Sequence, residues 1–152
     1  MKKVFLISVL FILVSGFFQF SFGQAKGFGA GIILGDPSGL SFKKWTTNRG
    51  AVDAGIGWSV YNESFHIHAD YLVHFMHAID INQGQLPLYA GIGASLNAGN
   101  PTSFGARIPL GINYIFGDVP LDLFAEIVPG LQLAPDTRFM LEAGVGIRYW
   151  FK

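Results

Sequence analysis

From residue 27 to the end of the chain, apolar residues recur at every second position. In the stretch 27–34, Phe28, Ala30, Ile32 and Leu34 oppose Gly27, Gly29 and Gly31. In 52–60, Val52, Ala54, Ile56, Trp58 and Val60 oppose Asp53, Gly55, Gly57 and Ser59. In 65–75, Phe65, Ile67, Ala69, Tyr71, Val73 and Phe75 oppose His66, His68, Asp70 and His74. The last residues, FMLEAGVGIRYWFK, read the same way. A period of two gives a β-strand two unlike faces and suits no helix. Turn signals cut the chain at 35–39, 47–50, 61–64, 82–85, 97–103, 117–120 and 134–137, each rich in Gly, Pro, Asn or Asp. They leave eight segments of about ten residues, the length of a tilted membrane-crossing strand. The second segment is the least regular: Leu40 and Phe42 oppose Ser41, Lys43 and Trp45, and Lys44 interrupts the apolar set. Lys44 fits a membrane boundary, where its amine reaches headgroups.

The pattern leaves open which face looks inward. A water-facing surface carries charge on roughly a quarter or more of its residues. Here the non-apolar set is mostly glycine, with one or two charges per segment and mixed sign: Lys43, Asp53, Asp70, Arg107, Asp122, Glu126, Glu142 and Arg148. Sparse, glycine-rich and sign-balanced describes a crowded interior. The apolar set then faces lipid, where a single Lys or Arg at mid-bilayer costs about 2–4 kcal/mol. Aromatics near strand ends, such as Phe104, Tyr114, Phe116, Tyr149 and Phe151, suit the two interfaces. The expected fold is a closed, eight-stranded, antiparallel up-and-down transmembrane β-barrel, whose interior has room only for side chains. Buried charges must pair. Lys43, Asp53, Asp70, Arg107, Glu126, Glu142 and Arg148 are expected to form that lumen network, with Asp122 in the available stock. The rival is a soluble lipocalin-like barrel that binds a small apolar ligand.

Composition adds the compartment. The chain opens MKKVFLISVLFILVSGFFQFSFGQA, with a positive start, an apolar run and small residues at Ser21 and Gly23. Residues 1–23 are expected to be a secretory signal peptide, and 24–152 the barrel domain. That domain carries eight Lys/Arg and ten Asp/Glu, a formal charge of −2, which is no nucleic-acid footprint. It has no cysteine, so neither disulfides nor thiolate metal sites are open to it.

These features resemble the small eight-stranded outer-membrane barrels of the OmpA and OmpX type, specifically the compact and mostly uncharacterised barrel domains of that group. The glycine-interleaved strands, the segments RIPLGINYIF and LFAEIVPGLQL and the aromatic final strand GVGIRYWF carry the resemblance, which covers residues 24–152. It implies a monomer in the outer membrane of a double-membraned bacterium, with lipid and the outer-membrane assembly machinery as partners. It also implies an assembly signal in the last strand, with an aromatic as final residue. Tyr149 and Phe151 would serve there, although Lys152 follows.

Candidate chemistry is thin. FHIHADYLVHFMH places His66, His68 and His74 on one strand face with Asp70. Residues two apart on a strand stand about 7 Å from each other, long for two ligands of one ion. These histidines are therefore read as a polar lumen cluster, and no metal or cofactor is expected. Ser59 and Ser95 face the proposed lumen away from lipid, so no nucleophile–base pair is presented to a lipid substrate. GFGAG precedes no helix, which removes a dinucleotide site. Eight strands are too few for an aqueous pore. The expected role is structural or surface-interacting, with a plugged polar lumen, no catalysis and an unspecified extracellular ligand. A narrow channel or a lipid-modifying enzyme is the second alternative. With periplasmic termini, the outer connections 35–39, 61–64, 97–103 and 132–137 are all short. The longest connection, about 76–85, falls on the other side.

Overall fold

A computed structural model describes residues 27–59 and 63–151. The expected leader, residues 1–23, lies outside the described residues. Among them there is no helix. Nine strands form one antiparallel sheet: β1 (Phe28–Asp36), β2 (Ser38–Trp45), β3 (Gly50–Ser59), β4 (Ser64–Phe75), β5 (Leu88–Ala98), β6 (Ser103–Arg107), β7 (Leu110–Ile115), β8 (Leu121–Ala134) and β9 (Arg138–Phe151). Each segment joined in sequence pairs with the next, and β9 returns to pair with β1. The ladder is a ring.

There are nine strands where eight segments were expected, and the cause is proline. Pro109 has no N–H to give the ladder, so the segment 104–116 is divided into β6 and β7. The register does not change across the gap. On β5, Gly93 faces Arg107 and Ala90 faces Leu110, so the partners advance in step. On β8, Arg107 faces Gly130 and Leu110 faces Ile127. The two pieces occupy one place in the ring, and inside–outside parity runs straight through: Ala106 and Ile108 are exposed, Arg107 and Pro109 buried.

The ring is staggered. Following directly paired residues from Tyr149 leads through Ala30, Phe42, Ala54, Ala69, Ala94, Ala106 and Leu131 to Phe139, ten residues from the start on the same strand. Such a stagger means tilted strands. The connections are short at the end where β1, β3 and β5 finish; one residue, Pro37, joins β1 to β2. At the other end lies the longest, residues 76–87. It is not made of strand extended from its neighbours, although Gln85 pairs with Ile115 beyond the start of β5.

The molecule is inside out by the standard of a water-soluble protein. Ile32, Val52, Ile67, Ile92, Phe139 and Val145 are among the many large apolar side chains exposed on its outer face. Among the described residues the buried apolar or aromatic side chains are Ala51, Leu72, Tyr89, Phe124 and Val128, with Pro87 and Pro109. The buried positions go instead to Lys43, Asp53, His66, Asp70, His74, Asp122, Arg107 and Arg148. Glycine makes space for them. The rings of Tyr89, Phe124, Trp150 and His68 each lie over the glycine directly opposite on the next strand: Gly111, Gly146, Gly29 and Gly55. A Cβ at any of the four would press into the ring.

Candidate functional site

The polar interior is organised by rows of neighbours across the strands. One row runs Lys43, Asp53, Asp70, Gly93, Arg107. Adjacent strands stand about 4.8 Å apart, so Asp70 and Arg107, two strands apart, meet only if the strand between them leaves the way clear. Gly93 between them has no side chain, and a Cβ there would strike the Asp70 carboxylate. Asp70 leans across that gap, bringing Oδ1 to 3.1 Å from Arg107 Nε. The pair is ionic without hydrogen-bond alignment, since neither atom has a hydrogen-bond partner. Tyr89 uses Gly111 in the same manner, spanning it to donate its hydroxyl to Glu126 Oε2 at 2.7 Å.

Two arginine clusters result. Arg148 donates from Nε to Asp122 Oδ1 and from Nη1 to Asp53 Oδ2, both at 3.0 Å, with Ser41 Oγ at 3.5 Å. The Phe124 ring lies 4.0 Å below its guanidinium, and Trp150 Nε1 donates to the second Asp122 oxygen at 2.8 Å. Arg107 donates from Nη1 to Glu142 Oε2 at 3.0 Å and to His66 Nε2 at 3.3 Å, with Glu126 Oε1 3.9 Å from Nη2.

The histidines join the clusters, and arginine fixes the hydrogen of His66. Arg107 can only donate, so His66 Nε2 accepts and His66 Nδ1–H donates to Asn97 Oδ1 at 2.8 Å. His68 Nδ1 stands 3.2 Å from the same His66 Nε2. His68 Nε2 is left 3.4 Å from Asp53 and 3.8 Å from Asp70, one carboxylate from each arginine cluster. The two ring centres stand 5.3 Å apart, inside the backbone spacing of about 7 Å expected between alternate residues. His74 stands away from the other two. Its Nδ1–H donates to the Arg49 carbonyl at 3.1 Å, leaving Nε2 to accept from Lys43 Nζ at 2.7 Å.

All seven residues of the expected lumen network point inward, though in different company. Asp53, Asp70, Arg107, Glu126, Glu142 and Arg148 meet in the two clusters. Lys43 does not join them through an ion pair. Its amine is 4.8 Å from the Trp45 ring centre and 5.3 Å from that of Tyr89, and its hydrogen-bond partner is His74. Asp122, absent from the expected set, is fully buried and is a direct partner of Arg148. Strand parity had already put it among the inward charges, in the stock for that network. Tyr149 and Phe151 face outward, their rings edge to face at 5.0 Å. Ser59 donates to Asp36 at 2.8 Å, and Ser95 Oγ has no hydrogen-bond partner.

Asp53, His68 and Asp70 have donor atoms within 4.8 Å of one another, a spacing that a metal ion can use. Both carboxylates already face guanidinium groups at 3.0 and 3.1 Å, and a cation placed among them would sit against two fixed positive charges. The arrangement is that of a salt-bridge network. A cavity of about 20 Å³ beside His66, His68, Arg107, Glu126 and Glu142 has the size of about one water molecule. No protein-family model, curated protein or solved structure matches the chain.

Proposed function

We propose that the chain is an integral outer-membrane β-barrel of eight strand positions. Its interior is a sealed polar plug, and its role is structural or surface-interacting, without catalysis. The observation that carries this reading is the inverted burial: charged and hydrogen-bonding side chains inside, large apolar side chains outside around the ring. In water such a surface favours association, whereas in lipid it is the required outer surface. Dimensions agree. A stagger of ten over eight positions corresponds to a tilt of about 40°, so a ten-residue strand rises about 25 Å, the height of an apolar band. Closing the ring leaves no strand edge exposed to lipid.

Two features support a plug over a channel. Trp45 and Trp150 stack at 6.2 Å, and Trp45 packs at 4.4 Å on His74, at the end where β2 and β4 finish. A chain of polar contacts does run along the interior, from Asn97 through His66, His68, Asp53, Arg148 and Asp122 to Trp150. Arg148 stands in its middle and does not release a proton in proteins, so the chain does not relay one. Lipid is the main partner on this reading, and Tyr149 and Phe151 are the residues offered to an outer-membrane assembly apparatus. The test is fractionation of cells expressing the full chain, followed by gel electrophoresis with and without heating. The protein should stay with outer-membrane vesicles after a high-salt wash and migrate differently once boiled. Recovery in the soluble fraction without detergent would overturn the reading.

A further inference from the structure

Antiparallel strands exchange two hydrogen bonds at alternate pairs. At four proline pairs among the described residues only one can form. Gly91 N donates to the Pro109 carbonyl at 2.9 Å, Ile108 N to that of Pro129 at 2.9 Å and Asn113 N to that of Pro87 at 3.0 Å. In each case the return donor would be a proline nitrogen, which carries no hydrogen. The carbonyls of Gly91, Ile108 and Asn113 therefore receive no ladder bond. A fourth such pair, Trp150 N to the Pro120 carbonyl at 2.8 Å, lies at the end of the β8–β9 seam, and the other three are clustered. They fall on one patch of wall formed by β5, the β6–β7 pair and β8.

The inner lining of that patch is also unusual. Gly91, Pro109 and Val128 occupy the inward positions there, with Leu72 opposite Gly91 on β4. That row carries no charge, although the rows on either side do, one through Asp70 and Arg107 and the other through Glu126. Parting the strands at this patch would break fewer ladder hydrogen bonds than elsewhere, leaving the Tyr89–Glu126 hydrogen bond as the side-chain link from β5 to β8.

We infer that the wall has a built-in lateral weak line through Pro87, Pro109 and Pro129, along which β5, β6–β7 and β8 separate more readily than other neighbouring strands. The inference rests on the ring and its prolines, and holds whether or not lipid surrounds the barrel. Amide hydrogen exchange tests it, on the folded protein in detergent micelles or in buffer if it proves soluble. Amides within 88–92, 106–112 and 127–131 should exchange at least about tenfold faster than those within 50–57 and 143–149. Equal or slower exchange would overturn the proposal. The double variant Pro109→Val, Pro129→Val restores two donors and should bring the first group toward the second. If the variant folds and the contrast is unchanged, the prolines are not its cause and the proposal fails. If the variant does not fold, the wild-type contrast decides.

Discussion

Arg148 and Arg107 do the same work in two different surroundings. Arg148 is sealed: about 1% of its side chain meets solvent, its partner Asp122 is fully buried, and an aromatic ring closes its lower face. Each of its two carboxylates is hydrogen-bonded at 3.0 Å. Arg107 has more partners and poorer ones. Glu142 is 18% exposed, Glu126 stands at 3.9 Å, and Asp70 is close without alignment. A buried charge costs free energy that only a well-aligned partner recovers, and water can replace a partner only where it can enter. The Arg148 cluster therefore carries more of the ring's internal cohesion, although the Arg107 cluster has more charges in it.

Arg148→Ala breaks the comparison most directly. It strands Asp53 and Asp122 in a space closed by Phe124 and Trp150, and removing one partner from a buried ion pair typically costs ~3–5 kcal/mol. Urea unfolding of the protein refolded in detergent micelles should show a loss of that size. Arg107→Ala should cost less in the same experiment, because water can reach Glu142. Equal losses would remove the distinction between the clusters, and an unchanged Arg148→Ala midpoint would remove the network.

The two clusters also show what a sequence can and cannot disclose. Strand, turn and face follow from alternation because each depends on residues near in the chain. The expectation of eight segments differs from the nine strands by a single proline, whose lost donor divides one segment without moving its register. Partner choice is another matter. Arg148 meets Asp53 across 95 positions of chain, and which residues face each other is decided by the ten-residue stagger of the closed ring. Lys43 was grouped with the carboxylates because charge type is visible in a sequence. Trp45 shares its strand face and was legible, but Tyr89 and the bond to His74 were not, since they come from strands that alternation does not align. The glycines were legible as room for an interior. That Gly93 is the particular gap through which Asp70 reaches Arg107 emerges only with the register.

Gly93→Ala sharpens the comparison without changing any charge. The added methyl meets the Asp70 carboxylate and the Ala69 backbone, so the Asp70–Arg107 pair must part while the Arg148 cluster is untouched. Overpacking of this kind costs roughly 1–3 kcal/mol. Ala94→Val, one residue along on the outer face, is the control and should change stability by less than about 0.5 kcal/mol. Equal shifts from the two variants would mean that Gly93 is tolerated for reasons unrelated to the bridge.

Glu142→Gln should have the smallest effect, and its size measures how wet the Arg107 cluster is. The amide keeps an oxygen that can accept from Arg107 Nη1, and its new donor can turn toward the partly exposed side. What is lost is one charge of a pair whose Glu142 side is partly open to solvent, and a loss of about 1 kcal/mol is expected. Asp122 allows no such escape, because both of its oxygens accept, one from Arg148 and the other from Trp150. The same urea midpoints decide the matter. A loss above about 2 kcal/mol for Glu142→Gln would place Arg107 in surroundings as dry as those of Arg148. The difference between the clusters would then rest on alignment alone.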